Sequence, residues 1–520
     1  MDAIISGQDL AALMASDRLY AVFDVRERGE FNECQIPNAS SLPRGQIEFR
    51  IAELVPDRRV PIVLYGDGHV RAPLAAATLL RLGYEQVSIL QEGLGAWQKE
   101  GRPTISGVNV PSKAFGEKIH HDQAVPDLTP QELNELKNRA AELLILDMRT
   151  PEEYGRFCIP GGINVPGGDL ILWAEELKGK EAPIVVNCAG RTRSIIGTAG
   201  LKRLGLTNVR ALRNGTMGWV LAGFELETKP QRSAPPAPQA SRESAVGLAR
   251  RIAQEEHICF ISPDELVRWP GAKEAMHYLI DVRSEGEFES GHIPGALSVP
   301  GGQAVQRADD FVAVRNAPIV FISYRSARAV MTAYWYRQMG FPKVLVLEGG
   351  LEAWSEQGGA IENGTVVNEP LVLAASKAQT HAIDAHALDR KLRESSIAIF
   401  DVGSSPEFEA AHLPGAQWLS RGWIEPRMPE LFSDRDQAIV LTCPDGRQST
   451  LAARTLGEMG YRDVAVLAGG VRAWSAAGLR IEQGLTGCLT PTNDVVLSPS
   501  IRGTKEDMQR YLDWEVKLER

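Results

Sequence analysis

A pattern that recurs four times constrains the fold of this chain more than any other feature of the sequence. In each copy an apolar segment ends in an aspartate that precedes an acidic helix start, at Asp24, Asp147, Asp281 and Asp401. A glycine-rich turn ending in tryptophan recurs with matching spacing, at Trp97, Trp219, Trp354 and Trp474. Because the period is about 120–135 residues, it predicts four tandem domains rather than solenoid repeats of about 20–50 residues.

The repeat also sets the expected domain boundaries. We expect four domains and a C-terminal extension that contains a helix, at residues 1–107, 108–228, 244–366, 367–486 and 487–520. A linker is predicted at 229–243, because this segment is rich in Pro, Ala and Ser and poor in large apolar side chains. The terminal helix is predicted at 504–518, with Met508, Tyr511 and Leu512 on one face, and it is expected to dock on a domain.

Within a repeat, short β-rich segments alternate with helical patterns. In the second repeat, strands are predicted at 143–146 and 183–186, and a helix at 195–204. Thr129 and Glu132 have the spacing of a capping box, which indicates a helix start. Alternation of this kind predicts βαβ crossovers, and therefore an α/β fold with a small parallel sheet flanked by helices in each domain.

Composition and charge exclude several classes of protein. The net charge of −10 leaves no basic surplus for phosphates, so neither nucleic acid nor a membrane surface is expected as a partner. No apolar run is long enough for a transmembrane helix, and the N-terminus is not typical of a secretory signal. Six cysteines without paired spacing indicate a reducing, cytoplasmic compartment. No zinc-type spacing or phosphate-binding loop is present, so no metal and no cofactor is expected.

One loop in each repeat joins an apolar strand to a helix rich in small residues. Its first position is occupied by Gly66, Cys188, Ser323 and Cys443 in the four repeats. A loop between the carboxyl end of a parallel strand and a helix N-terminus is the expected ligand site of such a sheet. Its backbone N–H groups and the helix dipole favour anions, so a cysteine there is expected to have a lowered pKa and to be nucleophilic.

These landmarks resemble the rhodanese, or thiosulfate sulfurtransferase, family. The resemblance lies in the D-V-R strand end, the H-I-P-G-A turn at 292–296 with its counterpart at 412–416, the cysteine loop and the G-G-x-x-A-W ending. It implies four tandem rhodanese-like domains and a sulfurtransferase. In this family the loop cysteine takes sulfane sulfur from an anionic donor such as thiosulfate. It holds that sulfur as a persulfide and passes it to cyanide or a thiol.

According to the resemblance, the second domain has the most complete set of the family's site residues. Cys188 is the predicted nucleophile, and the other residues expected to bind the donor there are Gly190, Arg191, Arg193 and Ser194. Arginine is suited to this task because its planar guanidinium can bind oxyanions through two hydrogen bonds. The fifth position after the cysteine carries Arg193, as the family pattern requires.

The other three domains depart from that pattern. In the fourth domain Cys443 is present with Arg447, but Gln448 and Gly403 replace two expected arginines, so the sequence leaves its activity open. Gly66 and Ser323 cannot form a persulfide readily, which predicts that the first and third domains are inactive. Two-domain members of the family pack an inert domain against the catalytic one that follows it. We therefore expect the first domain to support Cys188 and the third to support Cys443.

Two other functions remain open at this point. Cys-dependent phosphatases and arsenate reductases share the rhodanese fold, but their loop has arginine six positions after cysteine, whereas Arg193 lies five after Cys188. A persulfide carrier or sulfur-sensing scaffold would deliver sulfur to an acceptor protein, and the two degenerate domains would suit protein contacts. For the enzyme, thiosulfate or a low-molecular-weight persulfide is the expected donor.

Overall fold

Four α/β domains make up the computed structural model, which describes residues 3–68, 70–139 and 142–519. The predicted fold class is confirmed, because each domain contains a five-stranded parallel sheet flanked by helices. The chain divides into two compact units. One contains Met1–Gly107 and Val367–Val496, and the other contains Val108–Val366 and Leu497–Arg520. No helix in the described part of the chain is long and apolar enough to cross a membrane.

The first domain has the sheet order β1-β5-β4-β2-β3. Its strands are β1 (Ala3–Ile5), β2 (Ala21–Asp24), β3 (Ser40–Ser41), β4 (Ile62–Tyr65) and β5 (Val87–Leu90). Its helices are α1 (Gly7–Met14), α2 (Arg28–Glu33), α3 (Ile47–Leu54), α4 (Arg71–Arg81) and α5 (Gly93–Lys99). Every residue of β2 and β4 is buried, as expected for central strands covered by helices on both faces.

The second domain repeats this order as β6-β11-β10-β7-β9, with a separate antiparallel pair β8-β12. Its strands are β6 (Asp127–Leu128), β7 (Leu144–Asp147), β8 (Phe157–Cys158), β9 (Ile163–Asn164), β10 (Ile184–Asn187), β11 (Val209–Leu212) and β12 (Glu227–Thr228). Its helices are α6 (Val110–Asp122), α7 (Pro130–Arg139), α8 (Pro151–Arg156), α9 (Leu170–Lys178), α10 (Thr192–Arg203) and α11 (Gly215–Leu221). The predicted capping box is present, because Thr129 and Glu132 exchange hydrogen bonds.

The segment predicted as a linker ends in a helix. Helix α12 (Gln239–Glu255) begins within the predicted range 229–243 and packs against α9 of the second domain. Ala245, Leu248 and Ile252 are buried on one face of α12, which explains why this segment is ordered as a helix.

The third domain has the order β13-β17-β16-β14-β15. Its strands are β13 (Cys259–Ile261), β14 (Tyr278–Asp281), β15 (Leu297–Ser298), β16 (Ile319–Ile322) and β17 (Val344–Leu347). Its helices are α13 (Pro263–Arg268), α14 (Glu285–Glu289), α15 (Gly301–Gln306), α16 (Ala308–Phe311), α17 (Ala327–Gln338) and α18 (Gly350–Glu356). Helix α12 also packs against α17 of this domain.

The fourth domain has the order β18-β22-β21-β19-β20. Its strands are β18 (His381–Ile383), β19 (Ala398–Asp401), β20 (Gln417–Trp418), β21 (Ile439–Thr442) and β22 (Val464–Leu467). Its helices are α19 (Leu373–Lys377), α20 (Ala385–Glu394), α21 (Ser405–Ala410), α22 (Ile424–Leu431), α23 (Arg447–Glu458) and α24 (Gly470–Ala476), and α25 (Lys505–Val516) follows in the C-terminal segment. Successive residues of β19 alternate between two core clusters, Phe400 in one and Ile399 in the other, so both faces of this sheet are buried.

The expected pairing of domains is wrong. The first domain packs with the fourth in one unit, and the second packs with the third in the other. In the first unit, Arg44 forms a 2.5 Å ion pair with Glu425, and Arg421 forms a 2.7 Å ion pair with Glu48. All four side chains are largely buried, and a buried charge needs such a partner.

In each unit, glycines allow the segment after the short edge strand of one domain to contact the equivalent segment of the other domain. In the first unit, a Cβ atom on Gly45 would lie 2.9 Å from the backbone nitrogen of Gly422. In the second unit, a Cβ atom on Gly168 would lie 3.1 Å from the Cα atom of Gly301. Each of these segments directly follows a short edge strand. The close approach of backbones, rather than the order of domains along the chain, therefore decides which domains pair.

Candidate active site

The four loops singled out by the sequence occupy equivalent places in their domains. Gly66, Cys188, Ser323 and Cys443 each directly follow a central strand, namely β4, β10, β16 and β21, at the carboxyl edge of the sheet. Helices α4, α10, α17 and α23 begin a few residues later. Strand order therefore places all four at the edge where parallel sheets bind ligands.

The Cys188 loop is held by the glycine-rich turn that the sequence singled out. The Cys188 carbonyl accepts a 2.9 Å hydrogen bond from the Thr216 N–H, and the Ala189 carbonyl accepts one of 3.1 Å from Met217. Gly215 has a φ of +54°, and a Cβ atom there would lie 2.2 Å from the Cys188 carbonyl oxygen. The turn therefore requires glycine at this position, because the backbone of the cysteine loop occupies the space of a side chain.

Cys188 itself is buried next to the start of α10. The residue is 2% exposed, and its Sγ atom lies 3.5 Å from the Ser194 Oγ atom. Ser194 donates a 2.8 Å hydrogen bond to the Arg191 carbonyl, which fixes the hydroxyl within the loop. The structure thus brings the predicted nucleophile and the predicted Ser194 together.

Both arginines predicted to bind the donor already have carboxylate partners. Arg193 binds Glu153 through two hydrogen bonds of 2.6 and 2.8 Å. Burial alone would lower the pKa of Arg193, but Glu153 and, to a smaller extent, the Cys188 sulfur raise it. Arg191 binds Glu117 of α6 through hydrogen bonds of 2.6 and 2.7 Å, and both of these side chains are buried.

The ion pair of Arg193 is a feature of the domain fold, because it also occurs in domains that lack the loop cysteine. Equivalent pairs join Arg71 to Glu30 in the first domain and Arg328 to Glu287 in the third, and neither domain has the cysteine. In each case the glutamate lies in the first turn of the helix that follows the Asp strand. In the fourth domain Gln448 replaces the arginine, and its Oε1 atom is buried without a hydrogen-bond partner among the described residues.

The sequence did not reveal that the C-terminal helix covers the Cys188 loop. Glu515 of α25 accepts hydrogen bonds from the Thr192 hydroxyl at 2.5 Å and from the Thr192 N–H at 3.3 Å. Lys113 of α6 donates to the Tyr511 hydroxyl. Tyr511 lies on the predicted apolar face, so the expected docking of this helix is confirmed, but no sequence signal pointed to Glu515 or Lys113.

The Cys443 loop forms a nest of backbone donors around the sulfur. The N–H groups of Gly446 and Ser449 lie 3.2 and 3.4 Å from the Sγ atom of Cys443. Burial nevertheless raises the pKa of the Cys443 thiol, and the Ser449 and backbone donors only partly offset it. The expectation of a lowered pKa is therefore wrong for Cys443. Arg447, predicted to bind the donor here, forms a 2.8 Å ion pair with Asp445.

A buried aspartate without an arginine partner distinguishes the fourth domain from the others. In the first three domains the Asp at the end of the central strand binds an arginine two residues later, as Asp147 binds Arg149 at 2.7 Å. Among the described residues, the hydrogen-bond donor recorded for Asp401 is the Gly403 N–H at 2.8 Å, and burial raises the pKa of Asp401 to about 7. A Cβ atom on Gly403 would lie 2.8 Å from the Pro444 ring, so the Cys443 loop occupies the space that the arginine would need.

The two loops without cysteine keep the geometry but lack the sulfur. Ser323 accepts a 3.3 Å hydrogen bond from the Ala329 N–H and lies beside an open cleft of about 860 Å³. Arg325 and Arg328 line this cleft, and each is paired with a glutamate. Among the described residues, no group of three His, Cys, Asp or Glu side chains is arranged to hold a metal ion.

Comparisons with known proteins place this architecture in a family. The sequence model of the rhodanese-like domain matches residues 6–100, 129–222, 262–357 and 384–477. The crystal structure of a thiosulfate sulfurtransferase from Pseudomonas aeruginosa is 37% identical, with a TM-score of 0.92 over 99% of this chain and 97% of that one.

Curated relatives match the length of one domain. Thiosulfate sulfurtransferase GlpE of Pseudoalteromonas translucida is 36% identical over 86 residues, which is 16% of this chain and 80% of the relative. A sulfurtransferase of Allochromatium vinosum is 31% identical over 102 residues, or 20% of this chain and 94% of the relative. The match to YrkF of Bacillus subtilis, 35% identical over 82 residues, covers 16% of this chain and 43% of that protein. The chain therefore belongs to the rhodanese family, as a sulfurtransferase-type enzyme with four rhodanese-like domains.

Proposed function

We propose that this protein transfers sulfane sulfur from thiosulfate or a related persulfide donor to a thiol or cyanide, through a persulfide on Cys188. The observation that carries the proposal is the position of Cys188, directly after the carboxyl end of β10 and four residues before Thr192, the first residue of the 12-residue helix α10. The N-terminal dipole of a helix favours negative charge, and both the thiolate and the persulfide are anions.

The reaction consists of two displacements at sulfur. The Cys188 thiolate attacks the outer sulfur of the donor, and for thiosulfate the leaving group is sulfite. The acceptor then attacks the outer sulfur of the persulfide and releases the Cys188 thiolate. Arg191 and Arg193 hold the loop through Glu117 and Glu153, and their positive charge stabilises the anionic groups that pass through the site.

A persulfide carrier that serves a partner protein is a second candidate. The observation in its favour is that α25 covers the loop of Cys188, a residue that is only 2% exposed, which restricts access for small molecules. A carrier is expected to accept sulfur once and to turn over slowly with thiosulfate and cyanide, whereas an enzyme is expected to turn over many times.

The decisive experiment measures thiocyanate formation from thiosulfate and cyanide. Wild type is compared with Cys188→Ser, Cys443→Ser and the double variant, and Cys259→Ser serves as the control because Cys259 is exposed and lies outside the loops. We expect Cys188→Ser to reduce turnover to background and Cys443→Ser to retain most of it. Full activity of Cys188→Ser would contradict the assignment, and activity lost only in the double variant would mean that both cysteines work.

A further inference from the structure

Helix α25 contributes side chains to the Cys188 site. A Cβ atom on Gly190 would lie 3.2 Å from the Glu515 Oε2 atom and 3.6 Å from the Tyr511 ring, so both side chains lie against the cysteine loop. Glu515 is 1% exposed and Cys188 is 2% exposed. The cysteine loop and these two side chains of α25 are therefore packed together and almost closed to solvent.

The charged side chains around this loop are paired with opposite charges. Among the described residues, one oxygen of their carboxylates has no hydrogen-bond partner. Arg191 and Arg193 are each bound by a glutamate, and Lys113 lies 3.9 Å from the Glu515 Oε1 atom. Glu515 Oε1 also accepts both hydrogen bonds from Thr192. The Glu515 Oε2 atom is buried and has no hydrogen-bond partner among the described residues. A buried oxygen of this kind is costly unless a donor reaches it, which points to a ligand.

We propose that Glu515 selects a sulfur acceptor with a positive charge, of the aminothiol class, for the second half of the reaction. The proposal rests on the persulfide of Cys188 proposed above. The ammonium group of the acceptor donates a hydrogen bond to Glu515 Oε2 and keeps its protons throughout. Charge-assisted hydrogen bonds of this type are about twice as strong as neutral ones.

The transfer step balances without an added oxidant or reductant. The acceptor thiolate forms a new S–S bond to the outer sulfur of the persulfide. The bond between that sulfur and the Cys188 Sγ atom breaks, and its electron pair stays on Cys188. The products are the acceptor persulfide and the free Cys188 thiolate. An acceptor with a carboxylate places two like charges together at Glu515, which disfavours it.

The experiment compares three small thiols on the persulfide-loaded full-length protein. The protein is loaded with thiosulfate or glutathione persulfide, and loss of sulfur from Cys188 is followed by mass spectrometry with cysteamine, 2-mercaptoethanol or 3-mercaptopropionate. The quantity of interest is the ratio of the rates with cysteamine and with 3-mercaptopropionate. Intrinsic differences in thiol reactivity cancel when this ratio is compared between variants.

We expect Glu515→Gln to lower this ratio by about tenfold to a hundredfold, the range that corresponds to loss of a charged hydrogen bond. Asp513→Asn is the matched control, because it removes a carboxylate from the exposed face of the same helix, and it should leave the ratio unchanged. Glu515→Asp keeps the carboxylate and should keep the preference for cysteamine, which separates charge from any loss of helix docking.

The outcomes separate this proposal from the proposed function. If Cys188 accepts sulfur but the ratio is the same in wild type and Glu515→Gln, the role of Glu515 is refuted and the sulfurtransferase assignment stands. If Cys188 accepts no sulfur from either donor, both are refuted. An equal fall of the rate ratio in Asp513→Asn would also overturn the proposal. The loss of any negative charge on α25 would then explain the change in the ratio.

Discussion

Asp401 should make the stability of the fourth domain depend on pH. This residue is 1% exposed, and its carboxylate lacks the arginine that pairs with the equivalent aspartate in the other three domains. Burial raises its pKa from 3.8 to about 7. We therefore expect Asp401→Asn, which resembles the protonated side chain in shape and polarity, to stabilise this domain at high pH.

The sign and the size of the effect follow from the linkage between proton binding and folding. Between pH 4 and pH 7 the folded state holds a proton on Asp401 that the unfolded state has lost, so stability falls as the pH rises. At about 1.4 kcal/mol for each pKa unit, the full cost of ionising Asp401 in the folded state is about 4 kcal/mol. About 2–3 kcal/mol of this accumulates between pH 5 and pH 8.

Hydrogen exchange of peptides from β19 and β21 measures this effect in the fourth domain alone. Relative to wild type at the same pH, the protection of Asp401→Asn should rise by about thirtyfold to a hundredfold from pH 5 to pH 8. Asp281→Asn is the matched control. It leaves the buried Arg283 without its carboxylate and should destabilise the third domain by about 3–5 kcal/mol at both pH values. A constant ratio between Asp401→Asn and wild type across this range would refute the reasoning.

Two further predictions concern the second domain. Arg191→Met should destabilise this domain by about 3–5 kcal/mol, because it leaves Glu117 buried without a partner, and thermal unfolding measures the loss. An unchanged transition would show that the ion pair contributes little. Gly215→Ala should displace the Cys188 loop, since its Cβ atom would lie 2.2 Å from the Cys188 carbonyl oxygen, at a cost of at least about 2 kcal/mol. Mass spectrometry should then find less sulfur on Cys188 and unchanged sulfur on Cys443; equal loading of Cys188 in both proteins would contradict this.

The repeat and the local patterns of the sequence were sufficient for the fold class and for the four loops. Strand β7 lies within one residue of the predicted segment 143–146, because a short apolar run that ends in a charged residue defines a buried strand locally. The same holds for the capping box at Thr129 and for the position of Cys188. The roles of Arg191 and Arg193 toward the donor stay predictions, and the structure adds that both already bind carboxylates.

Only the tertiary structure decided which domains pair and what covers Cys188. The ion pair between Arg44 and Glu425 joins residues 381 positions apart, and the hydrogen bond between Thr192 and Glu515 joins residues 323 positions apart. Neither contact leaves a periodic signal, since each depends on one side chain whose partner is distant in the chain. Sequence periodicity records which face of a strand or helix is buried. It does not record which distant surface buries that face, because that choice depends on the close approach of whole segments such as those at Gly45 and Gly168.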